Sequence, residues 1–459
     1  MSTAIVWFRN DLRVEDNAAL YHASQKHSVI GIFIEATEQR KVHSDAPSKI
    51  GFIYDSVLVL RQQLNKLNIP LHIITVQNFS DVPQQVIDIT KNNQAESIWF
   101  NNEYLFNEMK RDNAVIELAQ KNDLETRQFD CDMILHPSSV RKPDREPYKV
   151  FTPFKKAWIK IHKERKTLSF PAPKRQLKQA MTNEQLTEDF SRDYRKDLWP
   201  AGSHEAINKL ENFITKVEDY KKHRDFPSRS GTSLLSPYLT VGAITAKQCA
   251  ERLYDHYHAD EEKFYSDTWL SELIWREFYR QIIIDQPNLV KHKPFKPDIK
   301  EPWKNDHQLF QAWCKGQTGF PIIDAAMREL NQTGWMHNRL RMNAAMFLCK
   351  LCLIDWRWGE QYFMSKLIDG DFSSNNGGWQ WCSSTGADGA PYFRIMNPFA
   401  QSQRFDPEGV FIRKFVPELS ELNSKDIHNP SNEQREKLQY PKTIIDYKES
   451  RKTTIQLMS

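Results

Sequence analysis

The runs AIVWF (residues 4–8), VIGIFIE (29–35), LHIITV (71–76), SIWFNN (97–102) and LETRQF (124–129) decide how the first part of this chain folds. Each is short and rich in apolar or β-branched residues, and longer segments of helical period, such as residues 52–67, separate them. Strands that alternate with helices specify a parallel, doubly wound α/β sheet of Rossmann-like shape. No G-x-G-x-x-G follows any of the runs, so the dinucleotide fingerprint is absent and the shape alone does not imply NAD.

Outward from that region, residues 131–200 read as a connector rich in Pro, Lys and polar residues, with PDREP, SFPAPKR and MTNEQLTED and one helix near 153–166. From residue 201 to 459 the period is helical: HEAINKLENFI, AKQCAERLYDHYH, DTWLSELIWREFYRQIII, HQLFQAWCKG, PIIDAAMREL and NRLRMNAAMFLCKLCL follow one another. The expected architecture is therefore α/β plus all-α: an α/β domain (1–130), a connector (131–200) and a large helical domain (201–459).

A net charge of +4 over 459 residues neither establishes nor excludes a nucleic-acid partner, which needs positive charge gathered on one face. The first residues lack a basic stretch and cleavage site, and no apolar run reaches membrane-spanning length. Six scattered cysteines fit a reduced cytoplasmic protein. Cys349 and Cys352 form C-x-x-C inside an apolar helical run without a second ligand pair, and read as core thiols rather than a metal site.

The chemistry concentrates in DGDFSSNNGGWQW (369–381), where two Asp, two Asn, two adjacent Gly and two Trp stand within thirteen residues. That density is a poor recipe for an ordinary core helix and reads as the wall of a site for a large, flat, polar ligand. In DTWLSELIWREFYR, helical spacing sets Trp269, Glu272, Arg276 and Tyr279 on one stripe with Trp275 beside it; Leu270, Ile274 and Phe278 form a core stripe opposite. A solvated Glu272–Arg276 ion pair is the plain alternative, and the flanking aromatics favour a polar cleft. Gly334 should end one helix, after which Trp335, Asn338, Arg341 and Met342 recur at helical spacing. GTSLLSPYLTVG (231–242) offers hydroxyls and free N–H groups for a phosphate, or merely caps a helix. YKKHRDFP carries Tyr220, Lys221, Lys222 and Arg224, a basic cluster beside an aromatic ring.

Taken together these segments resemble the photolyase–cryptochrome family. WFRNDLRVEDNAAL (7–20), YKVFTPFKKAW (148–158), RDFPSRSGTSLLS, WLSELIWREFY, GFPIIDAAMREL, TGWMHNRLRM, DGDFSSNNGGWQW and STGADGAPYFRIMNP carry the likeness, in family order and spacing, to about Pro417. The chain looks most similar to bacterial class I members that repair cyclobutane pyrimidine dimers.

The resemblance implies FAD within the helical domain. Tyr220, Thr232, Ser233, Leu234, Leu235 and Ser236 would hold its diphosphate and ribityl region, with Trp269 and Arg276 nearby. Asp369, Gly370 and Asp371 would line the isoalloxazine, Arg341 pairing an aspartate there, and Asn375 would face flavin N5. It further implies light-dependent DNA repair by a lyase, in which excited, fully reduced FAD gives an electron to a flipped-out dimer. Glu272, Trp275, Asn338, Arg339, Met342 and Trp381 would form the lesion pocket, and Glu272 is the candidate catalytic helper. Arg224, Arg339 and Arg394 would bind phosphates of UV-damaged DNA. Trp303, Trp356 and Trp379 fall at the positions of the family's electron-transfer chain. His43, Asn107, Glu108 and Lys291 match positions that hold a methenyltetrahydrofolate antenna, with 8-hydroxy-5-deazaflavin the alternative. A monomer without membrane attachment is expected.

Three rivals share the fold. A (6-4) photolyase carries a pocket histidine pair where this chain has Asn338 and Met342. A cryptochrome is marked by a long tail and a changed residue at the N5 position, whereas here the chain ends shortly after the family core. A repair protein restricted to single-stranded DNA shares nearly every motif. Leu234 departs from a position often polar or basic in relatives, and the segment after Phe415 receives no role.

Overall fold

The computed structural model describes residues 2–165, 168–177, 193–388 and 394–458. MTNEQLTED and the GAPYF of STGADGAPYFRIMNP therefore lie outside the described residues. The described residues sort into two compact units, one within 1–217 and 233–290, the other within 218–232 and 291–459.

In the first unit all five expected strands form: β1 (Thr3–Phe8), β2 (Ser28–Ala36), β3 (Leu71–Val76), β4 (Ala95–Asn101) and β5 (Glu125–Phe129). They pair in parallel in the order β3-β2-β1-β4-β5. Strands β1, β2 and β4 are apolar and almost wholly buried, as strands covered on both faces are, whereas β5 at the sheet edge (ETRQF) is polar and largely exposed. The core of this sheet gathers Ile5, Trp7, Ile32, Ile98 and Phe100 with Val86 and Val115 from covering helices.

The order reverses between β1 and β4, and in open α/β sheets ligands favour the crevice outside the strand ends at such a point. Arg9, just past the end of β1, is buried there. The Arg9 guanidinium lies 4.2 Å over the Trp7 ring and 4.8 Å from that of Phe100, and donates to the carbonyl of Asn101. Asn101 in turn donates to Asp11 at 2.7 Å. Much of the WFRNDLRVEDNAAL motif is thus structural. Arg13 donates to the Gly242 carbonyl at 2.9 Å, and Asp16 accepts from Thr245 and pairs with Lys247, both at 2.7 Å.

The Thr268–Asp285 helix, also in this unit, starts at Asp267, whose carboxylate accepts from the N–H groups of Trp269 and Leu270 at 2.6 and 3.0 Å. Its buried stripe is the expected one, Leu270, Ile274 and Phe278 being fully buried. The connector's helix runs Phe151–Glu164 and lies against it.

The second unit is helical, its core built from Trp313, Phe320, Leu340, Phe347, Trp356 and Trp379 among others. Gly334 ends the Pro321–Thr333 helix in a left-handed turn (φ 70°) that a side chain would strain. The run NRLRMNAAMFLCKLCL is not one α-helix: Asn338–Met346 passes into a π-helical turn at Phe347–Leu351. Lys350 is buried there and donates to the Ser383 carbonyl and to Ser384 Oγ, at 3.1 and 2.6 Å. No helix among the described residues is long and apolar enough to cross a membrane, and all six cysteines are buried and free.

Candidate functional site

The stretch 369–381 corrects one expectation drawn from it, that its composition is a poor recipe for a core helix. Despite its polar content and glycines, Phe372–Ser383 is a helix, with Ser373, Asn376, Trp379 and Gln380 buried. Three features make this possible. Asp371 caps the first turn, accepting from Ser374 N at 2.9 Å. The buried amides form a satisfied ladder, Gln380 donating to Asn376 at 2.9 Å and Asn376 to the Glu360 carboxylate at 2.7 Å. The facing Trp356–Met364 helix carries Gly359 where a Cβ would stand 2.1 Å from the Trp379 ring, so the indole lies directly against backbone.

Glu360 is the hub that sequence reading missed. It is 1% exposed, receives Asn376, and pairs with His292 at 2.8 Å, which holds the His292 imidazole above its ordinary pKa. Its backbone carbonyl accepts from Asn375 Nδ2 at 3.0 Å, which fixes that amide and leaves its other N–H and its carbonyl oxygen. Nothing in a lone Glu of WRWGEQYF announces this; the pairing becomes visible only once two helices are packed.

Upstream, Arg341 Nη2 donates to both oxygens of buried Asp369, at 2.7 and 3.0 Å. Asn338 is exposed, Met342 and Trp381 are half-buried, and the Arg394 guanidinium lies 5.7 Å from the Trp381 ring. Arg224 lies 5.3 Å from the ring of Tyr220. Asp225, which sequence reading passed over, pairs with Arg339 at 2.8 Å and stands 4.0 Å from Arg224. Trp303 and Trp356 both donate their indole N–H to one oxygen of Glu301, at 3.3 and 3.2 Å.

The first unit carries the other half of the candidate residues. Trp275 is half-buried, with one face stacked on Phe151 at 3.7 Å and an interplanar angle of 6°. A ring backed in this way is held flat for stacking on its other face. Glu272 is half-buried one turn before Arg276. Arg276 is held by Asp132, which accepts from its guanidinium at 2.5 Å through the carboxylate and 2.8 Å through the carbonyl. Trp269 is buried and packs on Phe213 at 4.8 Å. Next along the helix, buried Glu277 accepts from Trp158 Nε1 at 2.6 Å and from the Ile134 N–H; burial raises its carboxyl to about 7.

The loop of Thr232, Ser233, Leu234, Leu235 and Ser236 has a conformation that composition did not reveal. Leu234 has φ 55°, in the left-handed region uncommon for a branched side chain, and Leu235 follows in the right-handed region. Successive peptides of opposite hand turn their N–H groups into one concavity, the nest that accommodates anions. A strained residue of this kind marks a place where the backbone has a task. This donor set fits a diphosphate, and in the second unit the Arg341–Asp369 pair and Asn375 fit the polar edge of an isoalloxazine, so each group of residues suits one part of FAD.

His43, Asn107 and Glu108 come together elsewhere in the first unit. Asn107 and His43 are hydrogen-bonded at 3.1 Å, and Glu108 Oε1 lies 3.8 Å from His43 Nδ1. Burial raises the Glu108 carboxyl to about 7 and lowers the His43 imidazole, so burial disfavours the charged form of both. Around it Val42, Phe106 and Met109 are 71%, 46% and 45% exposed, an apolar rim on polar groups. Lys291, the fourth residue, belongs to the second unit.

The family described as DNA photolyase matches residues 4–174, and its FAD-binding domain matches residues 269–459. The segment after Phe415 thus lies inside the matched domain. The chain is 43% identical to a deoxyribodipyrimidine photo-lyase of Vibrio cholerae over 99% of its own length and 98% of that protein's. A bacterial class III photolyase from Agrobacterium tumefaciens superposes with a TM-score of 0.86 at 30% identity, covering 100% of this chain and 97% of that one. A Synechocystis cryptochrome superposes with a TM-score of 0.86 at 27% identity, covering 100% and 99%. With a parallel five-stranded sheet domain, a helical domain and a near-complete match to a relative of this identity, the chain belongs to the DNA photolyase family.

Proposed function

We propose that the protein is a light-driven DNA-repair enzyme, a lyase that splits cyclobutane pyrimidine dimers with FAD as its cofactor. The observation that carries this is the match, along nearly the whole chain, to a deoxyribodipyrimidine photo-lyase. When bound, FAD supplies the photo-excited electron that opens the cyclobutane ring.

The chain's own residues bind, orient and exclude. Trp275, flat against Phe151, and Trp381 stack on the fused pyrimidines, while Glu272 and Asn338 hydrogen-bond their polar edges and Met342 fills the side. Flipping a base out of the duplex costs a few kcal/mol, and stacking of about 1–3 kcal/mol per base offsets it. Arg224, Arg339 and Arg394 hold phosphates. The nest at Leu234 and Leu235, with Thr232, Ser233, Ser236 and Tyr220, receives the diphosphate. Arg341, Asp369, Gly370, Asp371 and Asn375 orient the ring, and Trp269 and Arg276 support the site from their helix. Trp379, Trp356 and Trp303 form the route by which electrons reach the flavin for its light-driven reduction.

The antenna reading follows the His43, Asn107 and Glu108 cluster. Hydrogen-bonding groups inside an apolar rim suit the polar edge of a pterin, and we assign a methenyltetrahydrofolate there, with Lys291 as a further contact. An 8-hydroxy-5-deazaflavin is the alternative. By function we divide the chain at about residues 130 and 200. One chain carries every proposed residue, so a monomer suffices, and six buried free thiols suit the reducing cytoplasm.

The test uses FAD-loaded, chemically reduced protein, a thymine-dimer oligonucleotide and blue or near-UV light. Faster loss of the dimer in light than in darkness is expected. Equal rates overturn the repair assignment. Light-driven flavin reduction without repair favours the signalling role suggested by likeness to a cryptochrome.

A further inference from the structure

The three proposed tryptophans differ in what surrounds their indole N–H groups. Trp379 is 2% exposed and its Nε1 has no hydrogen-bond partner among the described residues. Its neighbours are the ring of Phe363 at 4.9 Å and that of Trp313 at 6.1 Å. Trp356 and Trp303 instead converge on Glu301 Oε1, which also accepts from Arg357 Nη1 at 2.9 Å. The Arg357 guanidinium lies 4.7 Å from the Trp356 ring centre and is shared with Asp355 at 3.0 Å. Glu301 stands two residues before Trp303 in Glu301-Pro302-Trp303, and the fixed φ of Pro302 limits how the pair moves apart.

An indole that loses an electron becomes a cation, and its N–H is then a stronger donor. A carboxylate already accepting that N–H lowers the energy of the oxidised form, whereas a cation over the ring raises it. The apolar surroundings of Trp379 offer neither a partner nor solvent, so positive charge there is costly.

We propose that Glu301 is a positioning residue that draws the electron vacancy outward, by accepting a hydrogen bond from both outer tryptophans while Trp379 has none. The inference rests on the reading of Trp379, Trp356 and Trp303 as the reduction route. One electron leaves Trp379 for the photo-excited oxidised flavin, one passes from Trp356 to Trp379, and one from Trp303 to Trp356. No bond is made or broken, and the protein is left with one oxidised indole at its outer end. A thiol in solution returns that electron. Glu301 holds the vacancy at Trp303 and Trp356 long enough for the thiol to act before the electron falls back. Arg357 opposes it twice, through its charge over Trp356 and by pairing with the carboxylate.

Flash photolysis of the oxidised, FAD-loaded protein without thiol measures the decay of the tryptophan radical. E301Q keeps an acceptor oxygen but not the charge, and should shorten the lifetime about threefold, the size expected of one half-exposed ion pair. R357Q should lengthen it, and this opposite sign keeps the test sound should E301Q fold poorly. In darkness, E301Q should move the indole N–H resonances of Trp303 and Trp356 and leave that of Trp379 in place. Lifetimes that do not change in either variant, or indole resonances that do not move, overturn the assignment. W303F separates the two layers: a parent-like long-lived radical in W303F removes the route itself. Loss of that radical in W303F with parent-like decay in E301Q removes only the role of Glu301.

Discussion

At the scale of single residues, close approach and burial give the sharpest expectations. Gly359 lies on the Trp379 ring, and a methyl group there would overlap the indole with backbone on either side. G359A should cost about 1–3 kcal/mol by overpacking. It should also turn the Trp379 indole, so near-ultraviolet circular dichroism should change with the melting temperature; parent-like values for both would show that the ring has room. Glu329 and His337 titrate in opposite senses. Burial raises Glu329 from 4.5 to about 7 and lowers His337 from 6.5 to about 4, and Glu329 Oε2 accepts the backbone N–H of His337 at 3.2 Å. The folded state therefore binds more protons than the unfolded state at Glu329 between those limits, so stability falls as pH rises from 4.5 through 7. At His337 it binds fewer, so stability rises from pH 4 to 6.5, against that fall. E329Q should remove the first slope and leave the second. Its advantage over the parent should grow from near zero at about pH 4 to about 3 kcal/mol at most above pH 7. Thermal melts across pH measure this, and an advantage independent of pH would refute it.

At the scale of elements, the C-terminal helix Tyr447–Met458 shows how a segment without recognisable chemistry supports a site. Thr454 donates to the Lys350 carbonyl, and Met458 Sδ lies 3.5 Å from Lys350 Nζ. Lys350 is buried, which lowers its ammonium to about 8, and it holds the Ser383 carbonyl at the end of the Phe372–Ser383 helix. Deleting residues 447–459 opens Lys350 to water and should cost about 2–5 kcal/mol, as removal of buried contacts and hydrogen bonds does. The melting temperature should drop and FAD affinity with it, since the loosened helix carries Asn375; undiminished affinity would confine the helix to a stabilising role. D267A should cost about 1 kcal/mol through its lost cap. These elements also show what the sequence disclosed. Strands β1 to β4 were legible because a parallel sheet needs apolar runs, and the Thr268–Asp285 helix because its stripe has a clean period. Phe372–Ser383 was not legible as a helix, because its polar residues are satisfied by Glu360 on another element. The π-turn at Phe347–Leu351 was hidden for a similar reason: its residues are good helix formers, and tertiary packing around buried Lys350 decides its geometry. The left-handed Leu234 gave no signal at all, since nothing in its side chain favours that conformation. Naming the site residues therefore rested on the family resemblance, while their partners Glu360, Asp132, Asp225 and Glu301 came only from packing.

At the scale of the whole molecule, DNA binding must come from local charge, because a net +4 spread over 459 residues supplies little attraction. The proposed phosphate contacts are three arginines, and two of them face Asp225 at 2.8 and 4.0 Å. Each phosphate neutralised on duplex DNA contributes about −0.9 to the slope of log affinity against log salt, so three give a slope of about −2 to −3. The proposed stacking by Trp275 and Trp381 would release no counterions and be insensitive to salt. The two kinds of contact should therefore separate along two axes. R339Q should flatten the slope by about one for damaged and undamaged DNA alike. D225N should tighten both, since the phosphate no longer competes with a carboxylate for Arg224 and Arg339. W275A should leave the slope in place and lower the preference for damaged DNA by about 1–3 kcal/mol, the worth of one stacked base. Titrations of both DNAs at several salt concentrations measure all three variants. A change of slope in W275A, or of preference in R339Q, would show that charge and stacking act on one group of contacts, and the division of labour between arginines and tryptophans would fall.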